Sequence, residues 1–253
     1  MYSNIMNIEI KNLSVEIDEQ VILENISFDV KDKNTCVIIG SYGYYNGILL
    51  NVLGGFYEPL RGTLLIDGVD LYQKEEHELI ETKKRLSFVF QEGAFLSNLT
   101  VLENLLLPVK FYSMQFIKSK VMKEIKDLCT YFDVPQVLEK RPAFISYTSK
   151  KILSFIRAII THPELIIINK PLFNLDIRNQ IKVIQMLKDL KEKGTTMIIS
   201  SNSFDIIKAV ADQVVHVEKG TIQKISYKED KNFLQNIKKL DILSDLVGVE
   251  DEV

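Results

Sequence analysis

The stretch Cys36-Val37-Ile38-Ile39-Gly40-Ser41-Tyr42-Gly43-Tyr44-Tyr45-Asn46-Gly47-Ile48-Leu49-Leu50 decides the fold. A short, unbroken apolar run leads into a glycine-bearing turn. From Asn46 to Leu53 the apolar residues then recur at helical spacing. An unbroken run, rather than an alternating one, predicts a strand covered on both faces. Four more such runs follow: Leu86–Phe90, Leu165–Ile168, Met197–Ile199 and Val214–Val217. Helical patterns lie between them, among them Ile117–Phe132 and Ile177–Lys193, the latter ending near Gly194. This alternation predicts an α/β fold with a mostly parallel sheet.

Two regions depart from the pattern. Ile8–Ile10, Val21–Leu23, Ile26–Phe28 and Thr63–Gly68 read as antiparallel β structure. Residues of about 100–161 read as a helical subdomain inserted in the sheet core. The expected organisation is one domain over 1–228 and a C-terminal tail over 229–253. Phe233, Ile237, Leu240, Leu243 and Leu246 give that tail an amphipathic helical pattern.

Composition excludes several classes. The chain has 253 residues, 46% of them hydrophobic and 26% charged, which is a globular balance. A net charge of −3 gives no overall pull toward nucleic acid. Cys36 and Cys129 are the two cysteines, and neither lies in a C-x-x-C. A disulfide scaffold or structural zinc is not expected, nor is any other metal cluster. The sequence shows no signal-peptide pattern and no apolar run long enough to span a membrane. A soluble chain that reaches a membrane through a partner is the expectation.

The order of segments resembles the ATPase subunit of an ABC transporter from about Ile8 to Ser226. Leu23–Phe28, Leu49–Gly62, Ile66–Leu71, Phe90–Phe95 and Ile156–Leu165 carry the resemblance. Phe90-Gln91-Glu92-Gly93-Ala94-Phe95 and the run Thr100–Pro108 are most similar to the Mla/Mce-type lipid-transport branch. The resemblance implies a P-loop NTPase-like fold. It also implies a dimer that sandwiches ATP between one subunit's phosphate loop and the other's signature.

The residues at the family's working positions depart from its pattern. G-x-x-x-x-G-K-[ST] wraps phosphates with backbone amides, a Lys and a magnesium-binding hydroxyl. Here Gly40, Ser41 and Gly43 remain, but Tyr45, Asn46 and Gly47 replace the second Gly, the Lys and the hydroxyl. Asn169 and Lys170 stand where the resemblance places the magnesium Asp and the water-activating Glu. Ser146, Tyr147 and Thr148 lie in the signature, with the tyrosine and threonine expected to crowd it. Asn202 replaces the switch His, and Ile17 stands near the adenine-stacking position. Gln91 and Asp176 are retained. Lys170 is expected to pair with Asp176 and close the site.

These departures lead to the expectation of a catalytically inactive pseudo-ATPase, not an enzyme, with ATP and Mg²⁺ absent or weakly held. It would be a structural or regulatory component of a bacterial lipid-transport complex, peripheral on the cytoplasmic face of the inner membrane. Its partners would be a membrane permease, docked through Gln91, Phe95, Leu96 and Leu99, and a second ATPase-like subunit in a homodimer or heterodimer. No nucleic acid is expected. One alternative is an ATP-binding or ATP-hydrolysing subunit that works with an intact paralogue. Another is a soluble regulator detached from transport.

Overall fold

The computed structural model describes residues 6–41, 43–73, 75–112, 118–240 and 242–243. The chain opens with a long hairpin, β1 (Ile8–Ile17) and β2 (Gln20–Val30). The deciding stretch follows as β3 (Thr35–Ile39) and α1 (Gly43–Leu53). Next come β4 (Arg61–Ile66), β5 (Val69–Asp70), α2 (Glu76–Arg85) and β6 (Leu86–Val89). Three helices then interrupt the strands: α3 (Val101–Tyr112), α4 (Lys118–Tyr131) and α5 (Tyr147–Ile159). Strands resume with β7 (Leu165–Asn169), α6 (Ile177–Glu192), β8 (Thr196–Ser200) and α7 (Phe204–Val210). The last elements are β9 (Gln213–Glu218), β10 (Thr221–Tyr227) and α8 (Phe233–Lys238).

Two sheets form. The first is antiparallel, in the order β2-β1-β4-β5. The second has the order β10-β9-β3-β8-β7-β6. Its strands from β9 to β6 are parallel, and β10 closes one edge antiparallel to β9. The α/β class, the parallel core and the antiparallel β region are those expected.

The core explains the unbroken apolar runs. Successive strand residues point to opposite faces. Val37, Ile39, Ile166, Ile168, Met197 and Ile199 enter one apolar cluster, with the helices α3 to α6. Cys36, Ile38, Leu165, Ile167 and Ile198 enter the other, against α1 and the antiparallel sheet. Both faces of the parallel sheet are therefore covered.

Two helices, α2 and α7, have no counterpart in the sequence reading. The α2 segment is mostly charged and presents no apolar stripe to read. In the tail, Phe233 and Ile237 are buried, and Leu240 and Leu243 pack on the same cluster. Leu246 and Ile117 lie outside the described residues.

Candidate functional site

The site lies at the carboxyl ends of β3 and β7, where open parallel sheets place ligands. After β3 the chain turns through Gly40 and Ser41 into α1. The turn is tight. A Cβ at Gly40 would collide with the Val217 carbonyl. Asn202, just after β8, holds Gly40 from both sides. Its Oδ1 accepts from Gly40 N at 3.1 Å, and its Nδ2 donates to Gly40 O at 3.0 Å. Glu218 Oε2 accepts from Ser41 N at 3.1 Å, and this bond holds the Glu218 carboxyl below the usual carboxylate range.

Of the tyrosines at 42, 44 and 45, Tyr42 lies outside the described residues, and Tyr44 and Tyr45 belong to α1. Both stand in the first turn of α1, where Tyr44 is exposed and Tyr45 packs against the second apolar cluster. Asn46 is buried, and its Oδ1 has no hydrogen-bond partner. Asn169, at the end of β7, has the same feature, a buried and unpartnered Oδ1. Gly47 faces it: a Cβ at Gly47 would lie 3.7 Å from Asn169 Nδ2.

Lys170 adopts a left-handed backbone, φ 47°. Its side chain does not reach Asp176. A Cβ at Gly43 would collide with Lys170 Nζ and Cε, so the ammonium sits against the first residue of α1. It also lies 5.6 Å from the Phe173 ring centroid. Asp176 instead caps α6, accepting from Asn179 N at 3.0 Å and Asn179 Nδ2 at 2.6 Å. The expected pair of Lys170 with Asp176 is therefore not formed.

A second lysine, which the sequence reading missed, comes from α5. Lys151 is only 2% exposed. Its Nζ donates to Gln91 O at 3.2 Å and Asn169 O at 3.1 Å. Burial pulls its pKa down to about 8, with Glu92 opposing and Lys170 adding to the fall. Within a run of polar residues it reads as a surface charge.

Ser146 caps α5 by accepting from Ser149 N at 3.1 Å. The Tyr147 hydroxyl donates to Gln91 O at 3.2 Å, so this ring leans back on the 91–92 turn. Thr148, half-buried, follows in the first turn of α5. Ile17 ends β1 and packs against the second cluster.

The segment after Gln91 is tied down by two further side chains, Arg157 and Asn104, which lie in the runs Ile156–Leu165 and Thr100–Pro108 but for which the sequence alone predicts no role. Arg157 donates to Ala94 O at 2.7 Å and Gly93 O at 2.8 Å, and covers the Phe95 ring at 4.8 Å. Buried Asn104 clasps Leu96. Leu96 is exposed and Leu99 half-buried. Beside them Gly54, Phe56, Phe88, Phe90, Pro108 and Tyr112 line a groove. No residue spacing marks this groove, because it draws on α1, β6 and α3.

Among the described residues, no helix is long and apolar enough to cross a membrane. No group of three or more His, Cys, Asp or Glu could hold a metal ion among them.

A family model described as "ABC transporter" matches residues 23–172. A methionine import ATP-binding protein, MetN, from Mannheimia succiniciproducens is 26% identical over 85% of this chain and 63% of its own length. MetN of Francisella tularensis subsp. holarctica is 26% identical over 86% of this chain and 63% of its own length. The chain thus spans less than two thirds of these curated relatives. Among solved structures, an ATP-binding cassette in a dimeric post-hydrolysis state, bound to ADP and Pi, gives a TM-score of 0.80. It is 22% identical and covers 88% of this chain and 100% of its own. An ATP-binding subunit of an ABC transporter gives 0.78 at 20% identity, covering 92% and 95%. At these identities the structures speak for the fold, which is the ABC ATPase cassette.

Three expectations are overturned here. The relatives are named ATP-binding proteins of methionine import, not components of lipid transport. This corrects the reading as an inactive Mla/Mce-type component, the reading as a non-enzyme, and the expected lack of ATP and Mg²⁺. The physical reason lies in the treatment of each altered residue as a loss. In the folded chain Tyr45 packs on the apolar core, Tyr44 is exposed, and a lysine ammonium stands against Gly43.

Proposed function

The chain belongs to the ABC transporter family, and from that premise we propose that it is an ATP-binding subunit working beside a paralogue with an intact phosphate loop. The observation that supports this is the state of two helix ends. The β3–turn–α1 unit and the Ser146-capped start of α5 both form despite their altered motifs. Amides in the first turn of a helix lack intrahelical partners, and the helix dipole favours an anion there. In a face-to-face pair, α1 meets the nucleotide on this chain's loop. The start of α5, with the amides of Tyr147 and Thr148, meets the phosphate held by the paralogue.

Mg²⁺ fits the site through its neighbours more than through charge. Asn169 Oδ1, buried and without a donor, would be the oxygen that holds it, while the same amide's Nδ2 faces position 47. Mg²⁺ is commonly held by one or two protein oxygens together with substrate phosphates and water. When bound, it would neutralise phosphate charge. Lys170 does not serve as a base, so activation of water rests with the paralogue's site.

The relatives' names point the transporter to import of methionine. The permease would dock on the groove formed by Phe56, Phe88 and Phe90 and on the adjoining segment with Gln91, Phe95, Leu96 and Leu99. The chain would then lie peripherally at the membrane, held by that contact.

Co-expression with a paralogous cassette and a permease tests the proposal. All three should purify together and hydrolyse ATP, and loss of the loop lysine in the paralogue should stop turnover. A paralogue–permease complex that hydrolyses ATP and transports at the same rate without this chain would contradict it.

A further inference from the structure

We propose that Lys170 supplies the phosphate-binding cation of this subunit, reaching the nucleotide from the end of β7 in place of a lysine in the loop. The inference rests on the nucleotide-binding reading above and deepens it.

Three observations lead to it. First, position 46 carries a buried amide, so the helix itself brings no cation to the loop. Second, the Lys170 ammonium sits where a side chain at Gly43 would go, at the amide end of α1. Third, the surroundings leave that charge unneutralised. No carboxylate pairs with Lys170 among the described residues. The nearby acids are otherwise engaged: Glu218 with Ser41 N, and Asp176 with Asn179. Glu92 acts on Lys151.

An ammonium at a helix N-terminus is electrostatically unfavourable, because both carry positive charge. A nearby buried ammonium, Lys151, raises that cost. A polyphosphate placed between the α1 amides and Lys170 removes both penalties at once. Each charge-assisted bond to a phosphate oxygen is stronger than a neutral one. The backbone at 170 is left-handed, and the side chain lies against Gly43 rather than Asp176. Gly43 is the residue that lets it approach, since any side chain there would push the ammonium away. The family's loop lysine and the chain's Lys170 thus reach the same phosphates from opposite walls of the site.

The test is displacement of a fluorescent ATP analogue by ATP from the full chain, with Mg²⁺ and with EDTA. The Lys170→Met variant should bind about 10- to 100-fold more weakly, the effect of losing a charge-assisted bond. Lys170→Arg should keep affinity within about threefold of wild type, because it keeps the cation. EDTA should weaken wild-type binding less than Lys170→Met does. Matching melting temperatures establish that both variants fold. Wild-type affinity in a folded Lys170→Met variant would overturn the role of Lys170 and leave nucleotide binding intact. Absence of ATP binding by the wild-type chain would instead overturn the nucleotide-binding reading, and this inference with it.

Discussion

Replacing Asn104 by alanine lowers stability by about 3 kcal/mol, through loss of several buried hydrogen bonds at once. Asn104 is fully buried in α3. Its Oδ1 accepts from Leu96 N at 2.8 Å, and its Nδ2 donates to Leu96 O at 3.0 Å and Thr100 O at 2.9 Å. The side chain therefore fixes the turn that precedes α3. Thr100 and Glu103 add a reciprocal cap to the same helix start, Thr100 N donating to Glu103 Oε2 and Glu103 N to Thr100 Oγ1. Leucine at 104 has a similar shape but does not rescue, because the cost lies in the backbone groups left unpaired. Urea unfolding checks this. The midpoint should fall with an unchanged slope, since the surface exposed on unfolding is the same. A midpoint within error of wild type would show that the clasp contributes nothing.

The second large effect concerns Lys151 and pH. Burial holds its pKa at about 8 in the folded chain, against the ordinary 10.5. Between those values the unfolded chain binds the extra proton, so stability rises with pH across that window. Below about pH 8 the lysine is charged in both states and its desolvation cost is fully present. The full rise is at most about 3 kcal/mol. The buried thiols of Cys36 and Cys129, both pushed up, act in the opposite sense once the unfolded chain's thiols ionise. The measurement is therefore the difference in unfolding free energy between wild type and Lys151→Met. Wild type should gain on the variant from about pH 8 to about 10.5. A difference that stays flat across this window would mean that the Lys151 ammonium is not desolvated.

Both residues show where sequence reading stops. The strand runs at 36–39, 165–168 and 197–199 were legible because strands buried on both faces leave no alternation to misread. Helix α2 was not, because its charged sequence carries no apolar period. At the site, the positions were legible and their geometry was not. The order of segments located 40–47, 146–148, 169–170 and 202 along the chain. It could not show that Tyr45 packs inward, that Tyr147 leans on Gln91, or that Lys170 lies against Gly43. Those facts depend on contacts between elements far apart in the sequence, which only the folded chain defines. Lys151 was invisible for a related reason. A lysine in Ser149-Lys150-Lys151 reads as a surface charge until α5 is seen to press it onto the Asn169 carbonyl.

The measurement that tests the central claim most directly is calorimetric titration of the full chain with Mg-ATP. The account predicts saturable heat with a dissociation constant below about 1 mM, a binding free energy beyond about −4 kcal/mol. No saturable heat up to about 10 mM nucleotide, weaker than about −2.7 kcal/mol, would contradict it.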